Sequence, residues 1–422
     1  MAVTATDIHR TIQAVFRIEQ AKLIAGLARI TRDVGLAEEL AQDALVAALE
    51  EWPRTGIPDK PGAWLTAAAR HRAIDHFRRM RLAERKHDEI GHEQQSLERD
   101  MPDLDSALDD DIGDDLLRLI FTACHPVLSP EARAALTLRL VGGLTTDEIA
   151  RAYLVAEPTI AQRIVRAKRT LSEAGVPFEV PHGADRGERL ASVLDVIYLI
   201  FNEGYAATAG EDWMRPALSE EALRLGRILA GLAPLEPEVH GLVALMEIAA
   251  SRFGARTGPD GEPILLLDQN RARWDQLLIR RGLAALALAE SLGGEPEPYQ
   301  LQAAIAACHA RARVARDTDW PRIVALYGAL AELVPSPVIE LNRAVAVGMA
   351  SGPAAGLELV DALSAEPALK SYHLLPSVRG DLLVKLGRHA EARAEFERAA
   401  QLTRNERERK LLLARAAEAS AN

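Results

Sequence analysis

The chain has 422 residues, of which 48% are hydrophobic and 26% charged, and its formal net charge is −11. Such a composition excludes global disorder, and the acidity excludes indiscriminate binding to polyanions. Any contact with nucleic acid has to come from local basic patches. Two cysteines, Cys124 and Cys308, are too few for a disulfide framework or a cysteine-based zinc cluster.

Alanine and leucine dominate and aromatics make up only 4%, a bias that favours helices over sheets. The opening MAVTATDIHRT has no apolar stretch behind a charged start, and Val193–Phe201 is short and broken by Asp195. A cytoplasmic protein with no membrane partner is expected.

Residues 1–90 read as helices whose charge rises late, with Arg70, Arg72, Arg78, Arg79, Arg81, Arg85 and Lys86. In residues 91–115 the run from Asp100 to Asp115 is half aspartate and cannot form a core, so a linker is expected. Residues 116–175 form a compact helical block, and residues 176–422 continue in helical pattern after a Pro/Gly-rich joint.

The block 116–175 contains a helix-turn-helix pattern. Thr145-Thr146-Asp147-Glu148 has capping-box spacing, in which Thr145 caps the helix and Glu148 reaches back to its amide. A second helix starts near Pro158, and Ile160, Ile164, Ala167 and Leu171 recur on one stripe. Thr159, Gln162, Arg163, Arg166 and Arg169 share another face, rich in donors and free of acids, as phosphate and base-edge contacts require.

Three ordered segments precede it: Ala37-Glu38-Glu39-Leu40-Ala41-Gln42-Asp43-Ala44-Leu45, Pro61-x-x-Trp64-Leu65, and Arg70-His71-Arg72-Ala73-Ile74-Asp75-His76-Phe77-Arg78-Arg79. The series resembles region 2 of the extracytoplasmic-function class of bacterial RNA polymerase sigma factors. The segments Gly143–Ala150 and Thr159–Lys168 resemble region 4 of that class. The resemblance implies binding to core RNA polymerase through Glu39, Gln42 and Asp43. It also implies −10 promoter contact by Arg78 and Arg79, and −35 contact by the reading helix with Thr159, Gln162, Arg163, Arg166, Lys168 and Arg169. In the same frame the acidic linker either follows the RNA path or is a solvated tether. His71, where the class often has Asn, falls among Trp64, Ala67, Ala68 and Ile74 on a helical wheel and is expected to pack in the core. Leu154 stands at the turn position where the class commonly has Gly.

In the C-terminal half, FNEGYAATAG, DQNRARWD, PYQLQAAIAACHA and DTDWPRIVALY resemble a subgroup of that class with a tetratricopeptide-like extension. Gly380, Leu383, Ala392, Phe396 and Ala399, with Gly387 between the helices, have the spacing of such a helix pair, because small residues let two helices approach. A looser copy lies at Leu341–Leu363. Three polar–aromatic clusters, Asn202–Tyr205, Asp268–Trp274 and Asp317–Trp320, read either as anchors for a protein contact or as helix caps over an aromatic, with Asp268 and Asp317 as the N-caps.

The pairs Cys308-His309 and Cys124-His125 cannot act as nucleophile and base, since adjacent helical residues face apart. No catalytic residue, metal or cofactor is expected. The expected fold is all-α: a region 2 bundle, a region 4 helix-turn-helix and a helical repeat domain. The expected role is that of a sigma factor regulated in cis by its C-terminal half. Two other readings stay open: a conventional helix-turn-helix regulator with a helical effector domain, and a sigma-like scaffold.

Overall fold

A computed structural model describes residues 5–88, 112–153, 155–182, 185–207, 209–210, 213–259 and 261–421. The fold is all-α, and the chain divides into two compact units, Met1–Val196 and Ile197–Asn422. Most of the acidic stretch and the turn residue Leu154 lie outside the described residues.

The first unit opens with α1 (Ala5–Thr31), α2 (Val34–Thr55) and α3 (Pro61–Asp88), which pack pairwise. Apolar residues at helical spacing make the shared core: Ile12, Phe16, Ile24 and Leu27 of α1, Leu40, Ala44, Ala48 and Trp52 of α2, and Leu65, Ala69 and Ala73 of α3. The Trp64 ring meets Trp52 edge-on at 5.3 Å. The buried stripe of α3 is therefore Leu65-Ala69-Ala73, with His71 and Ala67 on the exposed side. This corrects the expected core histidine: the wheel was right in period and wrong in phase, because the packing of Trp52 and Trp64 sets which side faces inward.

Next come α4 (Ile112–Ala123), α5 (Pro130–Leu140), α6 (Thr146–Tyr153) and α7 (Glu157–Glu173). The first helix takes in the end of the acidic stretch. There Asp115 is 4% exposed and pairs with Arg29 of α1 at 3.0 Å and with Arg118 at 2.5 Å, so α4 is anchored on α1. The helix α8 (Asp185–Tyr205) runs through the division between the units. Its first half belongs to the first unit, where Ser192 donates to the Cys124 carbonyl at 2.6 Å and Arg189 to the Phe121 carbonyl at 3.0 Å.

In the second unit, α9 (Pro216–Leu232), α11 (Gln276–Leu292) and α12 (Pro298–Arg311) surround α10 (Pro237–Ala250), of which every residue from Glu238 to Ala250 is buried. The buried Glu238 carboxylate accepts from the Tyr299 and Gln300 amides at 2.5 and 3.1 Å, capping α12 from a neighbouring helix. Then α13 (Trp320–Leu333), α14 (Pro337–Ser351), α15 (Pro353–Leu363), α16 (Leu374–Lys385), α17 (His389–Leu402) and α18 (Glu406–Ala421) follow, each packed on its neighbour in sequence. The pair α16/α17 has the expected geometry. Ala392, Phe396 and Ala399 are fully buried, Gly387 turns at φ +72°, and a β-carbon on Gly380 would lie 2.7 Å from the Phe396 ring. One small feature was not foreseen: Ala209–Gly210 pairs in parallel with Arg404–Asn405, and Asn405 Nδ2 donates to the Ala207 carbonyl at 3.1 Å.

Candidate nucleic-acid interface

The helix-turn-helix is built as its residue types dictate. The Thr145 amide donates to Glu148 Oε2 at 2.8 Å, and the Glu148 amide to Thr145 Oγ1 at 3.1 Å, closing the capping box. Helix α7 has Pro158 in its first turn and no side-chain cap, and Ile160, Ile164, Ala167 and Leu171 are its buried stripe against α5 and α6.

Thr159, Gln162, Arg163, Arg166 and Thr170 stand at i, i+3, i+4, i+7 and i+11 on the face beside that stripe. With Val127, Leu128, Ser129 and Ala132 they line a groove of about 380 Å³. The N-terminus of α5 opens into it: Ser129 Oγ accepts from the Ala132 amide at 3.3 Å and donates to Glu131 Oε2 at 2.9 Å. The Glu131 carboxyl is held below its ordinary range by its backbone amide and Ser129, with smaller contributions from Arg163 and Arg133. The groove thus combines two guanidinium forks, a side-chain amide and a helix N-terminus, a donor set suited to phosphate and base edges.

Two residues assigned to this surface from the sequence, Lys168 and Arg169, are not among those lining the groove. Lys168 lies 200° round the helix from Arg166 and forms an ion pair with Glu38 of α2. Arg169 is exposed and pairs with Glu173 at 2.6 Å within its own helix. Val165, which sequence reasoning passed over, is 64% exposed beside this face. An apolar residue outside the buried stripe was the only available signal.

In α2, Glu39 and Asp43 are exposed and Gln42 is half-buried, a polar face that continues to Val46 at 50% exposure. Arg78 and Arg79 are exposed on α3, and Arg79 Nε donates to the Asp75 carbonyl at 3.2 Å. The preceding glutamate, Glu38, is turned inward. It is 4% exposed and takes Arg139 Nε at 2.6 Å as well as Lys168. Beside it, buried Gln20 donates to the Arg139 carbonyl at 3.1 Å, and Ser172 Oγ lies 3.3 Å from Asp33 Oδ2. Region-2-like and region-4-like helices are thereby joined through α2 and the second half of α7, while the first half of α7 keeps its groove open.

The three polar–aromatic clusters of the second unit are not separate surface patches. Arg252 bridges the Tyr205 and Trp274 rings at 5.6 and 5.9 Å, and Arg256 stacks on Tyr205 at 3.5 Å while donating to its carbonyl. Arg271 lies over Trp274 and donates to the carbonyls of His309 and Ala312 at 2.5 and 2.8 Å and to Thr318 Oγ1 at 3.1 Å. His309 in turn meets the Trp320 ring edge-on at 5.2 Å. Burial lowers Arg256 to about 10, and burial with Arg252 and Arg271 lowers His309 to about 4. The N-caps are Asn270, Asp275 and Asp319, which corrects the expected Asp268 and Asp317. The true caps lie only two to seven residues from those expected, since Asp and Asn are plentiful in both segments and only backbone conformation selects the capping one.

Cys124 is buried and shares a hydrogen bond with Thr137 at 3.3 Å, while His125 Nδ1 accepts from the Val127 amide. The two side chains face different partners. Among the described residues no helix is long and apolar enough to cross a membrane.

Residues 15–82 match the Sigma-70 region 2 family, and residues 118–171 match the Sigma-70, region 4 family. Residues 189–290 match a family of unknown function, DUF6596. An uncharacterized protein, R00370, of Rhizobium meliloti is 44% identical over 387 residues, which covers 90% of this chain and 89% of the relative. The ECF RNA polymerase sigma factor SigL of Mycobacterium tuberculosis is 34% identical over 156 residues, covering 35% of this chain and 81% of the relative. No solved structure matches.

Proposed function

The chain belongs to the extracytoplasmic-function family of RNA polymerase sigma factors, and from that premise we propose that it binds core RNA polymerase, recognises a two-part promoter and starts transcription. Sigma-factor families are non-enzymatic transcription factors, so nucleotidyl transfer belongs to the polymerase.

The observation that carries the promoter reading is the groove of α7, where Thr159, Gln162, Arg163 and Arg166 converge with the N-terminus of α5. In this reading Arg163 and Arg166 contact guanine edges or phosphates of the −35 element, and Val165 meets a thymine methyl group. Arg78 and Arg79 serve the −10 element. Glu39, Gln42 and Asp43 orient the polymerase, with Val46 as the apolar member of that face. Lys168 acts by holding α7 against Glu38 rather than by touching DNA.

The C-terminal half regulates this activity in cis. Support comes from the relative R00370, which aligns along nearly the whole chain, so both halves recur together in one polypeptide. Run-off transcription from genomic fragments with purified core polymerase tests both parts, using the full chain and a chain ending at Val196. That end point keeps the α8 residues Arg189 and Ser192 on their partners in the first unit. Specific transcripts from the full chain are expected, with a changed yield or start site from the short one. Binding to the fragments without any transcript would instead identify a conventional helix-turn-helix regulator.

A further inference from the structure

Where α12 ends and α13 begins, the surface carries an open pocket of about 290 Å³, roughly ten water molecules in volume. Its floor is Cys308, and Arg311, Arg313 and Arg322 stand around it with Asp317 and Asp319. Both acids have local partners. Asp319 Oδ1 caps α13 by accepting from the Arg322 amide at 3.0 Å, and Asp317 lies 3.7 Å from Arg316 on the outside. Among the described residues, none of the three guanidinium groups lining the cavity makes an ion pair or a side-chain hydrogen bond.

Three solvent-exposed guanidinium forks gather around one pocket in a chain of net charge −11, where they repel one another and together attract anions. The backbone that carries them is nonetheless held firmly. Arg271 ties down the carbonyls of His309 and Ala312 and the Thr318 hydroxyl, fixing the loop between the two helices. Burial pushes the Cys308 thiol up, so the floor is a neutral wall. The backbone of the rim is fixed, and its three guanidinium groups face solvent.

We propose that this cavity is a binding site for a small non-aromatic oxyanion, a phosphate ester or polycarboxylate that also carries hydroxyl groups. Guanidinium forks match the paired oxygens of phosphate and carboxylate, and three of them around one cavity suit a multiply charged group. Asp317 and Asp319 offer acceptors to the hydroxyl groups. No aromatic ring lines the cavity, so it offers nothing on which a nucleobase could stack. The site gives the C-terminal half a chemical input, and it stands whether or not the chain starts transcription.

Isothermal titration of the full chain at constant ionic strength tests this, with inorganic phosphate, a hexose monophosphate and citrate as probes. Saturable one-to-one binding of at least one probe is expected, and the probe that binds tightest tells phosphate ester from carboxylate. Arg313→Gln and Arg322→Gln should each weaken it about tenfold or more, the worth of a lost charged hydrogen bond. Arg316→Gln, whose side chain is 88% exposed and outside the cavity, should leave it unchanged. No saturable binding of any probe, or equal binding by the wild type and the two cavity variants, would overturn the proposal.

Discussion

Glu38 of α2 and Lys168 of α7 form an ion pair across the first unit, although their motifs suggest two external partners, polymerase for one helix and DNA for the other. Arg139 of α5 completes the triad at 2.6 Å, and the Glu38 side chain is only 5% exposed. A carboxylate so placed holds three helices together, and its loss leaves two partly buried cations facing each other.

Glu38→Gln should therefore destabilise the protein by about 2–4 kcal/mol, whereas Glu39→Gln, one residue on and exposed, should change stability by less than about 0.5 kcal/mol. Urea unfolding followed by helical circular dichroism compares the two. Equal midpoints would mean that Glu38 is not a structural partner of Arg139 and Lys168.

The division of labour on α7 makes a second contrast. Arg163→Ala or Arg166→Ala in the holoenzyme should cost about 1–3 kcal/mol in promoter affinity if the lost contact is to a base, and specificity at that base should relax. A phosphate contact would instead weaken all sequences evenly and flatten the salt dependence. Lys168→Ala should act on stability first, since its ammonium is engaged by Glu38. Fluorescence anisotropy on promoter variants at several salt concentrations, beside unfolding curves, separates these outcomes.

Acid should loosen the second unit through His309. Its folded value is about 4 against an ordinary 6.5, because burial and two neighbouring guanidinium groups disfavour the charged ring. The unfolded chain then takes up a proton first as pH falls. Stability from the neutral ring is complete above 6.5 and declines between 6.5 and about 4, by about 3 kcal/mol at most. His309→Gln should show a smaller drop in urea midpoint between pH 7.5 and 5 than the wild type, and an identical drop would place the acid sensitivity elsewhere.

Gly380 and Phe396 test the helix pair α16/α17. A methyl group on Gly380 would sit 2.7 Å from the fully buried ring, which cannot yield without moving a helix. Gly380→Ala should cost about 1–3 kcal/mol by overpacking. Adding Phe396→Leu should recover part of that loss, so the double variant should be more stable than the sum of the single changes requires. Thermal unfolding of the four proteins gives the coupling directly.

Much of this molecule was legible from local chemistry. The capping box of Thr145 and Glu148, the buried stripe Ile160-Ile164-Ala167-Leu171 and the small-residue contact of Gly380 with Phe396 each depend on residues close in the chain, at spacings that a helix imposes. For the same reason the groove residues Thr159, Gln162, Arg163 and Arg166 could be picked out before any coordinates. What failed depended on partners distant in sequence. Periodicity gives a helix its faces but not the direction in which each one points, so His71 turned out exposed and Lys168 left the DNA face for Glu38. Burial of Glu38 and Asp115, both acidic residues in acidic surroundings, was decided by arginines brought to them by folding. The three arginines around the Cys308 cavity belong to the same class: Arg311 ends one helix, Arg313 lies in the loop after it and Arg322 in the next helix, and Arg271 ties the carbonyls of His309 and Ala312 from a third part of the chain.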